Sequence, residues 1–485
     1  MNHLGEKIIN ATKWSIITEI AAKLIVPITN MILARILAPE AFGVIATITM
    51  IISFADMFTD AGFQKYLVQH EFENEQEKYQ HANVAFWTNL IISFLLWLII
   101  GVYRDLIAIL VGNPGLGNTI LVACISLPLT SFSSIQMSLY RRDFDYKTLF
   151  YVRLVGIFVP VFVTIPLAIL GFSYWALIIG TVCGNLANAI ILTMKSKWKP
   201  TMFYRFSILK EMIGFSFWSL IEAISIWLTN WIDTFIVGSI LSTYYLGIYK
   251  TAPSTVGGIM GLVTSTTMTI LFSSLSRLQN DEYEYKKTLF KFQKIVGIFV
   301  LPMGVGIFVY REFITSVLLG SQWSEASTLI GLWGLTSSFM ILFGSYCSEV
   351  YRSKGKPQLS FLAQILHLIV LIPICYFTAN ESFESLVWAR SLVRIQLVVV
   401  HFIIMHFVIK ISPWIMIKNN IPSMICSILM WYIADLLITL STNFIWQIIS
   451  IFICIIMYFI FAMLFSTMRK EIFNIVNKNI PIKYI

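Results

Sequence analysis

Apolar runs, each about 20 to 32 residues long and so able to cross a bilayer as a helix, alternate along the whole chain with short gaps rich in charge, Pro and turn residues. The runs fall near residues 12–36, 42–68, 82–103, 117–140, 148–170 and 173–194. After a basic connector they resume near 211–240, 244–275, 289–310, 326–350, 358–378 and 384–409, and two more close the chain near 421–440 and 444–466. This pattern predicts an all-α integral membrane protein with about 14 transmembrane helices.

The first twelve runs form two sets of six that show an internal likeness. Sliding the first helix by 204 positions lays Trp14 and Ser15 on Trp218 and Ser219, Leu37 on Leu241 and Gly43 on Gly247, with ten of 33 positions matching from Trp14 to Ala46. A duplication of an even number of spans gives two lobes of the same orientation, related by a pseudo-twofold axis along the membrane normal. The expected organisation is therefore a six-helix lobe over 1–194, a basic connector over 195–210, a second six-helix lobe over 211–410, and two extra helices with a cytoplasmic tail over 411–485. Two such lobes imply a cleft between them, the geometry of a carrier that opens to one side at a time.

Composition removes the soluble alternative, because 58% hydrophobic residues, 12% charged residues and a mean hydropathy of +0.79 leave too little polar surface for a globule of 485 residues. With the N-terminus in the cytoplasm, 26 of the 34 Lys and Arg residues fall in cytoplasmic gaps, and only Arg104 and Arg311 fall in external ones. That asymmetry predicts a multi-pass membrane protein with both termini in the cytoplasm. The net charge of +9 belongs to loops facing anionic headgroups, and nucleic acid is not an expected partner. The six Cys lie in or near spans without CxxC spacing and read as small hydrophobes, so no metal knuckle is expected. Residues 1–13 carry no cleavage signal and are expected to be retained.

Six cations remain inside or at the edges of spans, where an ionisable group costs about 2.5–3.5 kcal/mol and faces a partner or a wet cavity. Lys23, Arg35, Arg153, Lys250, Arg390 and Arg394, with Asn30, are the candidates for a cationic cavity suited to phosphate or carboxylate. At 100° per residue Thr12, Ser15, Glu19, Lys23 and Asn30 share one face. Thr49, Ser53, Asp56 and Asp60 form a similar stripe on the second span, and Glu222, Ser225, Thr229 and Asp233 on the seventh. Glu19, Asp56, Asp60, Glu222 and Asp233 are the candidates for carrying a coupling H⁺ or Na⁺, the alternative being that such groups neutralise neighbours or hold helices together. Arg390, Arg394 and His401 share a face of the twelfth span, whereas His367 and His406 read as packed or interfacial and Asp435 has no assigned role. Pro27, Pro160, Pro166, Pro253, Pro302 and Pro373, with Gly257, Gly258 and Gly261, mark places where spans can bend.

The string Leu33-Ala-Arg-Ile-Leu-Ala-Pro-Glu-Ala-Phe-Gly43, then Phe54 and Asp60-Ala-Gly-Phe-Gln-Lys-Tyr-Leu-Val-Gln69, resembles the opening of polysaccharide-unit flippases of the multidrug/oligosaccharidyl-lipid/polysaccharide exporter superfamily. Asn230-Trp-Ile-Asp-Thr-Phe-Ile-Val-Gly238, Leu246-Gly-Ile-Tyr249 with Ala252, Gly320-Ser-Gln-Trp323 with Ala326, and Gly355-Lys-Pro357 extend the likeness nearly end to end. The resemblance implies a carrier, not an enzyme, in the bacterial plasma (inner) membrane, that moves an undecaprenyl-diphosphate-linked oligosaccharide from the cytoplasmic to the outer leaflet. The product would feed surface polysaccharide such as O-antigen, capsule or exopolysaccharide. It implies a cationic cavity, H⁺ or Na⁺ coupling in at least some members, and as partners the lipid-linked sugar, membrane lipids, and polysaccharide polymerase and chain-length proteins. Of the candidate cations only Arg35 lies inside a motif string, and the chain departs at Ser239, where relatives often carry a basic residue.

Two other readings fit a many-span chain. An undecaprenyl-linked glycan polymerase or ligase would display a large external loop, which this pattern lacks, and a drug or metabolite cation antiporter of the same superfamily would favour an acidic cavity. No P-loop, nucleophile elbow or metal-ligand cluster is present in sequence, so no cofactor and no catalytic residue is expected.

Overall fold

The structure, a computed structural model, describes residues 25–476 apart from Ala61, together with Trp14, Ile17, Thr18, Ala21 and Ala22; within the helices it leaves aside the side chains of Asp60, 214–219, Ile221, Glu222, 265–266, 269 and 475–476. The expectations for Glu19 and Lys23, and for the side chains of Asp60 and Glu222, lie outside the described residues.

Among the described residues there is no β-strand. The chain runs through α1 (Ile25–Ile36), α2 (Pro39–Asp60), α3 (Phe63–Gln69), α4 (Glu75–Val102), α5 (Arg104–Leu110), α6 (Gly117–Ala123), α7 (Ser126–Arg142), α8 (Tyr146–Ile169), α9 (Tyr174–Lys195) and α10 (Phe206–Ile240). It continues through α11 (Thr243–Arg277), α12 (Glu282–Val309), α13 (Arg311–Leu318), α14 (Ala326–Met340), α15 (Tyr346–Ser353), α16 (Gln358–Glu381), α17 (Phe383–Ile404), α18 (Pro413–Leu440), α19 (Phe444–Leu464) and α20 (Ser466–Val476). Among the described residues twelve helical stretches are long and apolar enough to cross a membrane, against about 14 expected; in α10 that stretch is Ala223–Ile240. The first expected span lies partly outside the described residues, with α1 at its described end, and at the place of the eighth stands α11, which is richer in Ser, Thr and Gly.

Polar gap residues start the helices. Asn74 accepts the Glu77 N–H at 2.8 Å ahead of α4, Asp145 the Thr148 N–H at 3.1 Å ahead of α8, and Asp281 the Glu284 N–H at 3.0 Å ahead of α12. One expectation is corrected here: 42–68 is not a single span. α2 stops at Asp60, Gly62 takes φ +80, a conformation open to a residue without a Cβ, and α3 starts afresh as a separate short helix.

Contacts divide the chain into two compact units, within Met1–Lys250 and Thr251–Ile485. In the first, Phe63, Leu67, Phe86, Ile135, Trp198 and Met212 form one core and Val44, Ile48, Ile100, Ile120, Leu127 and Ile178 another. Glycines set the closest helix approaches. A Cβ on Gly43 would overlap the carbonyl oxygen of Thr243, and one on Gly247 would overlap that of Pro39, so the starts of α2 and α11 meet backbone to backbone. Gly184, one turn beyond Gly180 on α9, lets α9 pack on Pro160 of α8.

In the second unit α18 and α19 pack on α12, where the Tyr458 hydroxyl donates to the Ile298 carbonyl at 2.7 Å and that of Tyr310 to Ser450 at 2.9 Å. Between α14 and α15 the backbone widens by one residue per turn over Ile341–Ser345, and buried Gln293 donates to the Leu342 carbonyl at 2.9 Å. Large apolar side chains such as Phe162, Leu170, Phe377, Leu436 and Ile445 stand exposed on span helices, as lipid-facing surface requires.

Candidate functional site

The polar stripe of α2 meets a polar face of α7 inside the first unit. Ser53, Asp56, Thr59, Lys65, Thr130 and Ser134 are among the residues that line a cavity of about 390 Å³. The Thr130 hydroxyl lies 3.4 Å from Asp56 Oδ1. From α10, the Trp227 indole N–H points at Ser53 Oγ, 3.1 Å away, and its ring stands edge-on to Phe54. Among the described residues its lining combines a carboxylate, an ammonium and several hydroxyls with the apolar Met57, Met137 and Leu220, and the polar part can hold water or small ions.

A second constellation in the same unit joins the end of α10 to the start of α11. Asp233 is buried, and its carboxylate accepts the Thr234 N–H at 2.7 Å, the Thr234 hydroxyl at 3.2 Å and the Tyr249 hydroxyl at 2.8 Å. Next along the chain, the Lys250 ammonium lies 4.3 Å from the centre of the Trp231 ring.

In the second unit Arg390 and Arg394 lie one turn apart on α17, where like charges repel. Both guanidinium groups rest on Trp333 of α14, at 5.1 and 4.0 Å from the ring centre. Arg394 Nη1 also donates to the Thr336 and Ser337 hydroxyls, each at 3.0 Å, and to the Trp333 carbonyl at 3.2 Å. A π face worth about 0.5–2 kcal/mol per cation and a set of aimed oxygens offset the repulsion and the burial. His401, two turns further on, points elsewhere, with its Nδ1 3.2 Å from the Tyr351 hydroxyl.

Within the first unit the expected residues fall in separate places, and in the second unit Arg390 and Arg394 share one. Asp56 belongs to the α2–α7 cavity, Asp233 and Lys250 to the α10–α11 corner, and Arg390 and Arg394 to the Trp333 platform. Arg153 is exposed on α8, Arg35 is exposed at the end of α1, and Asn30 is half-buried within it. His367 is buried with Nδ1 3.0 Å from Gln396 Oε1, and His406 is exposed against Phe407. Sequence reading passed over the α7 face, although Thr130-Ser131 and Ser133-Ser134 inside an apolar span were a visible signal. The aromatic partners Trp227, Tyr249 and Trp333 carried none, since nothing local separates a partner aromatic from a core one.

The model of a family described as polysaccharide biosynthesis protein matches residues 32–328. The succinoglycan biosynthesis transport protein ExoT of Rhizobium meliloti (strain 1021) is 24% identical over 377 residues, 77% of this chain and 75% of that protein. The lipopolysaccharide biosynthesis protein WzxC of Escherichia coli (strain K12) is 19% identical over 76% of this chain and 75% of its own length. Among solved structures, the lipid II flippase MurJ in an inward closed conformation superposes with a TM-score of 0.75 at 16% identity, covering 93% of this chain and 98% of that one, which shows a shared fold.

Proposed function

The chain belongs to the polysaccharide biosynthesis protein family, and from that premise we propose that it is a flippase for undecaprenyl-diphosphate-linked oligosaccharide repeat units, carrying them from the cytoplasmic to the outer leaflet of the bacterial plasma membrane for surface polysaccharide assembly. It is a multi-pass membrane protein, and relatives named for transport or flipping make it a transporter rather than an enzyme. The proposed substrate fits its chemistry. A polyprenyl tail can stay in lipid throughout, so the barrier lies in taking a diphosphate and its sugars through an apolar layer, a step that needs fixed cations and hydroxyls to replace water.

The observation that carries the reading is the Arg390–Arg394 pair within a span-length helix, two guanidinium groups on one Trp333 ring, with Arg394 also donating to the Thr336 and Ser337 hydroxyls. Guanidinium forks match diphosphate oxygens two at a time. Arg35, Arg153 and Lys250 are proposed to supply further positive charge, and Asp56 and Asp233 are proposed to exchange H⁺ or Na⁺ as access alternates. The membrane potential also favours export: about 2.3 kcal/mol per charge per 100 mV makes the outward move of roughly two negative charges downhill by about 4–5 kcal/mol.

Cells lacking the gene are expected to lose surface polysaccharide and to accumulate lipid-linked repeat units on the cytoplasmic leaflet, protected from an added glycosidase until the membrane is opened. Restoration by the wild-type gene and failure of Arg35→Gln to restore more than about a tenth of export would support the proposed cation. Wild-type polysaccharide in the deletion strain, together with new sensitivity to cationic drugs, would instead favour an antiporter.

A further inference from the structure

Outside the residues discussed so far, side chains from three separate stretches of the chain meet beside α3. His70 follows α3, His81 sits in the second turn of α4, and Glu211 lies near the start of α10, ahead of its membrane-crossing stretch. One ligand atom from each lies within 4.8 Å of the others. His70 Nε2 is 3.8 Å from Glu211 Oε1, and His81 Nε2 is 3.8 Å from Glu211 Oε2.

The hydrogen positions decide what the cluster lacks. His81 Nδ1 is 3.0 Å from the Glu77 carbonyl oxygen, which can only accept, so Nδ1 carries the hydrogen and a neutral ring turns its Nε2 lone pair toward the carboxylate. His81 is 4% exposed, and its Nε2 has no hydrogen-bond partner. A lone pair aimed at a carboxylate oxygen is repulsive unless a cation stands between them. A proton on Nε2 would leave N and O at 3.8 Å, beyond hydrogen-bond reach. Donor atoms around a tetrahedral Zn²⁺, each ~2.0–2.2 Å from the ion, sit about 3.3–3.5 Å apart, so the present 3.8 Å imidazole–carboxylate distances, within a set spanning 4.8 Å, need only a small inward shift of the side chains to close on an ion.

The surroundings are arranged as a metal site's outer shell is. The Tyr66 hydroxyl donates to Glu211 Oε1 at 2.6 Å, and chiefly through that bond the Glu211 carboxyl is held below the usual carboxylate range. The Tyr66 ring stacks on His70 at 4.6 Å. Arg142 Nη1 donates to the carbonyls of Leu67, Val68 and His70, which fixes the turn that presents His70. The hydrogen bond on the far nitrogen of a ligating histidine and the hydrogen-bonded carboxylate are recurrent features of zinc centres.

We propose that His70 Nε2, His81 Nε2 and a Glu211 carboxylate oxygen bind a divalent transition-metal ion of the Zn²⁺ class, with water in the fourth position, and that the ion fastens the start of α10 to α3 and α4. The inference rests on this geometry and is independent of what the carrier moves.

The test uses the full-length protein in detergent, its affinity tag removed, stripped with chelator, loaded with ZnCl2 and passed through gel filtration. The expected result is one zinc per chain in the wild type and under about a tenth of that in Glu211→Gln and in His70→Ala/His81→Ala. At hundred-fold excess over Kd, zinc should raise the thermal midpoint of the wild type by roughly 3 °C and leave Glu211→Gln unmoved. Glu211 is half exposed and the change to Gln is isosteric, so that variant should elute as the wild type does even if the His variant does not fold. Substoichiometric zinc in the wild type, equal zinc in wild type and Glu211→Gln, or an X-ray absorption spectrum of the loaded wild type without two imidazole nitrogens would overturn the site.

Discussion

Replacing Gly43 or Gly247 by alanine is expected to cost about 3 kcal/mol of stability, or roughly 100-fold in the ratio of folded to unfolded protein, the top of the range for overpacking. The new methyl group would meet a carbonyl oxygen of a neighbouring helix start, that of Thr243 for Gly43 and that of Pro39 for Gly247, and a helix backbone cannot swing aside as a flexible side chain can. The two contacts are one contact seen from both ends. Under the 204-residue register that lays Gly43 on Gly247, Pro39 falls on Thr243, so each glycine touches the carbonyl equivalent to the one its counterpart touches. That reciprocity is the signature of a twofold contact, here within a single chain. Because both substitutions strain the same seam, the double variant should cost less than the two singles added together. Yield of monodisperse protein and its thermal midpoint in detergent measure the effect, and wild-type values for both single variants would contradict the backbone contact.

Arg390→Gln and Arg394→Gln are each expected to lower polysaccharide export by about 10- to 100-fold at equal protein level. Charge-assisted hydrogen bonds to a diphosphate are worth about 1.5–3 kcal/mol each, and glutamine keeps the length of the side chain while removing its charge. Arg394→Lys should fall between wild type and Arg394→Gln, since an ammonium restores charge but not the fork that reaches Thr336 and Ser337. Trp333→Leu leaves both cations in place and removes their shared platform, so a smaller loss is expected there than in either Gln variant. Export at the wild-type level in both Gln variants would take these residues out of the substrate's path.

Fold class was readable because a bilayer imposes a length and an apolar content on every crossing element, whereas the span count was legible only approximately, with twelve span-length stretches among the described residues against about 14 expected. Breaks inside helices were less readable. A single Gly62 ends the helix that apolarity alone would run from 42 to 68, because backbone freedom at one residue leaves no mark on hydropathy. The register linking Gly43 to Gly247 could be read from sequence, but that the two touch depends on how α2 and α11 start, which no pairwise match reveals. Charges inside spans were readable as exceptions, as Arg390 and Arg394 show, whereas Trp333 became visible only once α14 and α17 were packed together. His70, His81 and Glu211 fall on three separate elements, and only folding brings them within reach of one ion.

Translocation by the purified chain in liposomes tests the proposed function most directly. A polyprenyl-diphosphate oligosaccharide with a fluorescent sugar, placed on one leaflet, should become accessible to a quencher on the other, faster with an imposed potential of the favouring sign. Arg390→Gln and Arg394→Gln should slow that transfer by the same factors as export. A rate no higher than that of protein-free liposomes, with folded wild-type protein at the same density, would contradict the assignment of this chain as a lipid-linked oligosaccharide flippase.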